Sequence, residues 1–259
     1  MEKKKYTRPD LLTTPEELKA KLGRPDLRLI DTRQAELYAQ GHIPGAIHFD
    51  LFGISLIDTS PAPLAAFMAM IAHLFELRGV NLDTEVVFYE ENSGMKAARG
   101  LWFLEYFGHR RVSVLDGGLQ AWKKSGHPVT TDAVPPKGTQ FKVQEKRDTL
   151  ATYEDVLNSL NNERIKLVDT RSDDEYMGRL VRAARGGAIP GAVPLEWTKN
   201  LADGAFKSED ELKTMYAGLG VTPDKEAVAY CQGGYRAAHT YLALRLLGFP
   251  KVRNYIGSW

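Results

Sequence analysis

Short apolar runs that end on a charged or glycine-bearing corner recur along the chain, and residues with helical spacing follow most of them. Leu27–Asp31, Glu85–Tyr89, Arg111–Leu115 and Glu226–Tyr230 predict strands. Thr14-Pro15-Glu16-Glu17 predicts a helix start, with a Thr cap, proline in the first turn and Glu three residues after the cap. That helix should run to about Lys21, where Gly23 stops it. Thr152 with Asp155, and Ser208 with Glu211, predict two more starts of the same kind. A helix over about Met95–Phe107 should follow the loop at Gly94. Ala62–Phe75 is the most apolar stretch; it is shorter than the ~20 residues a bilayer span needs and predicts a buried helix. Strands alternating with helices at this spacing predict α/β architecture with parallel sheets.

The pattern occurs twice. Asp169-Thr170-Arg171 repeats Asp31-Thr32-Arg33 138 residues on, and Ile189-Pro190-Gly191-Ala192 repeats Ile43-Pro44-Gly45-Ala46 146 residues on. Eight residues are therefore inserted between those landmarks in the second copy. Tyr230-Cys231 repeats Tyr89-Glu90, and Leu247-Gly248 repeats Phe107-Gly108. An ordered set of landmarks is the signature of a tandem repeat. It predicts an N-terminal domain over 1–126, a connection over 127–149 and a C-terminal domain over 150–259. The connection holds Pro128, Pro135, Pro136 and Gly138 and shows no apolar period. Trp259 aligns with Leu119, so the second copy ends before a counterpart of Trp122.

Composition narrows the function classes. Hydrophobic residues make up 43% and charged residues 26% of 259, ordinary for a globular protein. A net charge of +1 gives no whole-molecule field toward nucleic acid or membrane, so neither is expected as a partner. The charged start MEKKKYTRPD has no apolar run behind it and does not read as a signal peptide. Cys231 is the single cysteine, which excludes an internal disulfide and fits a reducing compartment; a cytoplasmic monomer is expected.

The candidate chemistry sits at Cys231. The predicted strand stops there, Gln232, Gly233, Gly234, Tyr235 and Arg236 follow, and helical spacing takes over from Ala237. This puts the thiol at the carboxyl edge of a parallel sheet, where open α/β folds bind ligands. Loop amides and a helix N-terminus make a nest for negative charge, and Arg236 adds a cation. Both favour the thiolate, the nucleophilic form. A buried packing cysteine is the competing reading, and the loop context argues against it. Asp31, Arg33, Asp169 and Arg171 read as buried ion pairs at strand corners, since both copies keep them. His42 becomes Ala188 in the second copy and is not expected to act as its base. The four tryptophans read as packing residues.

Cys-Gln-Gly-Gly-Tyr-Arg-Ala, together with Asp-x-Arg, Gly-His-Ile-Pro-Gly-Ala and the terminal Gly-Ser-Trp, resembles the landmarks of the rhodanese family of sulfurtransferases. The resemblance covers nearly the whole chain and implies two tandem rhodanese-like domains, the first non-catalytic. It implies that Cys231 takes a sulfane sulfur from a donor, holds it as a persulfide and passes it to a thiophilic acceptor such as cyanide or a thiol. No cofactor or metal is implied. Glu90 stands where the first copy would need its cysteine, and a carboxylate cannot accept a sulfane sulfur. The eight-residue insertion brings Arg179, Arg182 and Arg185; the equivalent loop in the family lies beside the cysteine and helps hold the donor, whereas a solvated basic face is the plainer reading. The family's thiosulfate enzymes often carry an arginine where this chain has Glu175, and a lysine where it has Gly233. Its mercaptopyruvate enzymes tend to carry Gly-Ser-Gly after the cysteine, which is also absent. Charge matching between Arg236 and a dianion favours thiosulfate over 3-mercaptopyruvate. A sulfur carrier without small-donor turnover, and a cysteine phosphatase or arsenate reductase, are the other readings. Four residues separate Cys231 from Arg236, against five in the phosphatase pattern, which disfavours the last.

Overall fold

The computed structural model describes residues 4–259; residues 1–3, the start of the charged segment read above, lie outside the described residues. Two five-stranded sheets, each wholly parallel, organise the chain. The first contains β1 (Leu12–Thr13), β2 (Leu27–Asp31), β3 (Ile47–His48), β4 (Glu85–Tyr89) and β5 (Val112–Leu115), in the order β1-β5-β4-β2-β3. Around it lie α1 (Pro15–Lys21), α2 (Ala35–Gln40), α3 (Pro61–Glu76), α4 (Met95–Tyr106) and α5 (Gly118–Lys124).

The second half begins with β6 (Leu150–Ala151), β7 (Ile165–Asp169) and β8 (Val193–Pro194). A small antiparallel hairpin, β9 (Leu201–Ala202) with β10 (Ala205–Phe206), precedes β11 (Glu226–Tyr230) and β12 (Val252–Tyr255). The sheet order β6-β12-β11-β7-β8 is that of the first sheet strand for strand. Its helices are α6 (Tyr153–Ser159), α7 (Asp173–Tyr176), α8 (Glu209–Gly218) and α9 (Tyr235–Leu246). Capping boxes start α1, α6 and α8 at Thr14, Thr152 and Ser208, each worth about 1 kcal/mol. A fourth, Ser172 with Glu175, starts α7 and was not marked in the sequence.

The strand corners carry ion pairs in both halves. Arg33 holds Asp31 and Arg171 holds Asp169, each at 2.6 Å and buried. Trp102 and Trp122 are fully buried, in keeping with packing roles.

Two elements differ from the sequence expectation. The Pro61–Glu76 helix is amphipathic, with Phe67, Met68, Ile71 and Phe75 buried while Ala62, Ala65, Ala66, Ala69 and Met70 face solvent. Its apolar average comes from alanines, which have too little side-chain area to demand burial. Residues 127–146 run along the N-terminal half rather than hanging free, and Arg147–Thr149 close the connection as a 3-10 turn. Thr130 bridges His42, Thr139 N donates to Glu76 O, and Phe141 packs edge-on to Phe107.

The halves share one core along α4 and α9, which pack on each other. Ten of the twelve residues of α9 are buried, because its own sheet covers one side and α4 the other. Polar groups inside this contact are paired. Tyr241 donates to Glu105 at 2.7 Å, and the His239 ring contacts Ser93 O at 2.9 Å. No helix among the described residues is long and apolar enough to cross a membrane.

Candidate active site

Strand β11 is buried from Ala227 onward and delivers Cys231 to the carboxyl edge of the sheet. The chain then turns through Gln232 and Gly233 to Gly234, which caps α9 at φ +78°. That left-handed conformation needs glycine, and it turns the Gly234 amide onto the thiol. Gly234 N donates to Cys231 Sγ at 3.1 Å and Gly233 N at 3.4 Å. The helix begins at Tyr235, two residues before the helical spacing becomes legible.

The terminal Ser258-Trp259 closes the loop from the side. Ser258 Oγ lies 3.8 Å from Sγ and accepts from the Cys231 and Gly234 amides at 3.1 and 3.0 Å. Trp259 N donates to Cys231 O, and Gln232 Nε2 donates to Trp259 O and Arg182 O. Cys231 is 1% exposed. Burial alone would raise its thiol. The Gly233 amide, the Arg236 charge, the Ala237 amide and the Ser258 hydroxyl outweigh that and hold it below the ordinary thiol value.

The arginines separate into distinct places. Arg236 lies beside the thiol, but its guanidinium grips Glu175 in a bidentate pair at 2.6 and 2.9 Å. Glu175 is buried; burial would raise its carboxyl, but Arg236 and the Ser172 cap bring it down to about 2. Arg182 Nε stands 3.6 Å from the same carboxylate. Arg179 turns outward to pair with Asp174, and Arg185 is exposed, touching the site only through its carbonyl, which accepts from Trp259 Nε1. Of the three insertion arginines, Arg182 alone adjoins the buried pair. Sequence reasoning noted Glu175 as a departure from the family pattern without seeing its partner, 61 residues away.

The N-terminal half walls the opposite side. Tyr235 OH donates to Leu51 O at 2.9 Å and approaches Ile54 O at 3.1 Å. Phe52 lies against the Tyr235 ring, and a Cβ added at Gly233 would sit 3.2 Å from Ser55 Oγ.

The profile of the rhodanese-like domain matches the chain twice, over residues 14–125 and 152–259. The chain belongs to the rhodanese family. A thiosulfate sulfurtransferase from Azotobacter vinelandii is 36% identical over 251 residues, covering 96% of this chain and 92% of the relative. The sulfur carrier protein TtuD of Thermus thermophilus is 35% identical over 271 residues, covering 98% and 94%. Among solved structures, the Escherichia coli 3-mercaptopyruvate sulfotransferase SseA superposes with a TM-score of 0.82 at 30% identity, covering 96% of this chain and 98% of that one.

The first rhodanese domain shows what replaces a cysteine. Glu90 follows β4 as Cys231 follows β11, and its carboxylate fills the nest, accepting from Lys96 N at 2.7 Å and Ala97 N at 3.1 Å. A side chain at Gly94 would collide with it at 2.3 Å. The acid is thus itself the nest's occupant. Burial raises its carboxyl to about 7, against the opposing pull of those amides. A raised acid contributes stability that is complete below the unfolded value near 4.5 and lost as pH passes 7. Glu90→Gln should therefore match wild type at pH 4 and exceed it by about 1–3 kcal/mol at pH 8 in urea unfolding. Equal stability differences at both pH values would show that Glu90 does not titrate in this window.

Proposed function

We propose that the protein is a thiosulfate-type sulfurtransferase working through a persulfide on Cys231. The observation that carries this is the pair of amides, Gly233 N and Gly234 N, aimed at Sγ, where they stabilise negative charge on sulfur. The thiolate attacks the outer sulfur of thiosulfate, the sulfur–sulfur bond breaks, and sulfite leaves with the bonding pair. The new persulfide anion stays in the ring of amide and Ser258 donors. A thiophile then attacks the terminal sulfur, and the bonding pair returns to Cys231. Cyanide leaves this step as thiocyanate. Relatives named thiosulfate sulfurtransferase, similar over nearly the full length, support the reading. The four-residue spacing to Arg236 argues against phosphoryl chemistry. A single buried thiol fits a reducing compartment, and we assign the protein to the cytoplasm on that basis.

Intact mass tests the cycle: the protein should gain one sulfur atom with thiosulfate and lose it with cyanide. An unchanged mass with thiosulfate would reject it. One observation favours a second donor. Glu175 neutralises Arg236, the cation that a dianion would seek, and 3-mercaptopyruvate carries a single charge. The donor assignment is tested by kcat/KM for both compounds with cyanide as acceptor. Thiosulfate should be the better substrate, and a ratio favouring mercaptopyruvate would replace it. Persulfide loading without turnover would instead identify a sulfur carrier, as TtuD is named.

A further inference from the structure

Twelve large hydrophobic side chains are exposed among the described residues, and five of them flank the thiol. Phe52 and Ile57 lie on the N-terminal domain's segment 51–58, with Ile57 88% exposed. Met177, Leu180 and Val181 lie on the insertion, with Met177 62% exposed. Contacts fix both segments against the same loop and tail. Phe52 packs on the Tyr235 ring, Ser55 abuts Gly233, and a Cβ added at Gly257 would sit 3.1 Å from Ile57 O. On the other side Arg182 O accepts from Gln232 Nε2, and Arg185 O from Trp259 Nε1. The thiol therefore lies between two irregular segments that hold apolar side chains out in solvent.

Exposed apolar side chains grouped around a site mark a contact surface, and charge tells what kind. Residues 177–188 hold three arginines and no acid. Arg179 is answered by Asp174, and Glu175 by Arg236. Arg182, its side chain 59% exposed, is then surplus to the Glu175 pair, and Arg185 meets no carboxylate among the described residues. Across the mouth Asp50 is paired with Lys96, and Asp58 accepts from the Ser60 amide. The rim is apolar, with a cationic side. Shape adds a limit. Cys231 is 1% exposed, so a cysteine on a broad folded surface cannot reach it, whereas one on an extended segment can.

We propose that this rim docks the sulfur acceptor, an extended acidic segment of another protein that carries a cysteine among apolar residues. The partner's thiolate, its proton already passed to water, attacks the outer sulfur of the Cys231 persulfide. A sulfur–sulfur bond forms to the partner, the bond to Cys231 breaks, and the electron pair returns to the Cys231 thiolate. The partner leaves as the persulfide. This rests on the persulfide reading and names the acceptor class for it.

Two synthetic peptides test it: acetyl-Asp-Leu-Glu-Leu-Cys-Gly-Asp-Glu amide, and the same peptide with lysine at every acidic position. From thiosulfate-loaded protein, mass spectrometry should show sulfur moving to the acidic peptide at least about tenfold faster. That preference should shrink in about 0.5 M salt. Ile57→Ser combined with Met177→Ser should slow the transfer about tenfold or more, as loss of two buried apolar contacts would. Discharge to cyanide should stay unchanged, because both side chains stand in solvent. Equal rates for the two peptides, an unchanged rate in the double variant, or glutathione matching the acidic peptide would overturn the proposal. A cyanide rate that falls alongside would place the two residues in the chemistry and also overturn it. So would a wild-type dimer that the double variant loses, which would assign the rim to a second copy of the chain. The same peptides with serine for cysteine, labelled for fluorescence anisotropy, should bind in the same order without turnover. Failure to load sulfur would thus reject the sulfurtransferase reading, while the anisotropy order still decides the surface.

Discussion

Cys231→Ser reduces sulfur transfer to background, a loss of at least about 10⁴-fold, the scale on which a covalent nucleophile acts, while the fold survives. The chemical reason is that a serine hydroxyl is not ionised at neutral pH and forms no persulfide. Structurally, a serine oxygen can still accept from Gly233 N and Gly234 N and fills a similar space in a fully enclosed position. The stability change should stay within about 1 kcal/mol, the net worth of one such hydrogen bond. Cyanide-dependent thiocyanate formation and thermal unfolding measured on the same preparation check both halves. With one cysteine in the chain, no other thiol can take over. Residual transfer above background in the folded variant would remove the persulfide from Cys231 and with it the whole cycle.

The tandem arrangement was legible because its signals are local. Strand corners, cap boxes and the Cys231–Arg236 loop each lie within a few consecutive residues, and the two copies repeat them in one order. The buried ion pairs at Asp31–Arg33 and Asp169–Arg171 are also neighbours in sequence, so their pairing could be read directly. What escaped depends on distance along the chain. Glu175 meets Arg236 only after β7 and β11 pair and bring α7 beside the start of α9. Ser258 reaches Cys231 through the pairing of β12 with β11. Arg99 is one of three charged residues on α4, with Lys96 and Glu105, and nothing in that stretch says that it points across an interface. The insertion arginines divide for a local reason, with Arg182 beside Glu175 and Arg179 turned away. A three-residue spacing suggests a face, but the loop is irregular and sends Arg179 out to Asp174.

Glu175 and Arg236 together give the second large expectation. Arg236→Ala should lower kcat/KM for thiosulfate by about 10²- to 10³-fold, the scale for removing a preorganised charge from a water-poor site. It should also cost about 3 kcal/mol or more in stability, because Glu175 stays buried without its partner. Ser172 and Arg182 soften that cost without cancelling it, since Arg182 stands off at 3.6 Å. The single variant thus mixes two effects, and the double variant Arg236→Met with Glu175→Gln separates them. It removes both charges and keeps volume, so stability should return to within about 1 kcal/mol of wild type. Activity should not return. Arg236 is one of the groups that lower the Cys231 thiol, so its loss raises that thiol. The acid limb of the kcat/KM profile should therefore move to higher pH in the single and the double variant alike. Glu175 behaves in the opposite sense: its lowered carboxyl contributes stability above the unfolded value near 4.5 that is lost as pH falls toward 2, and the double variant should lack that acid-side slope. Recovery of wild-type kcat/KM in the double variant would mean that Arg236 serves only to neutralise Glu175, leaving the loop amides and Ser258 to hold the sulfur anion.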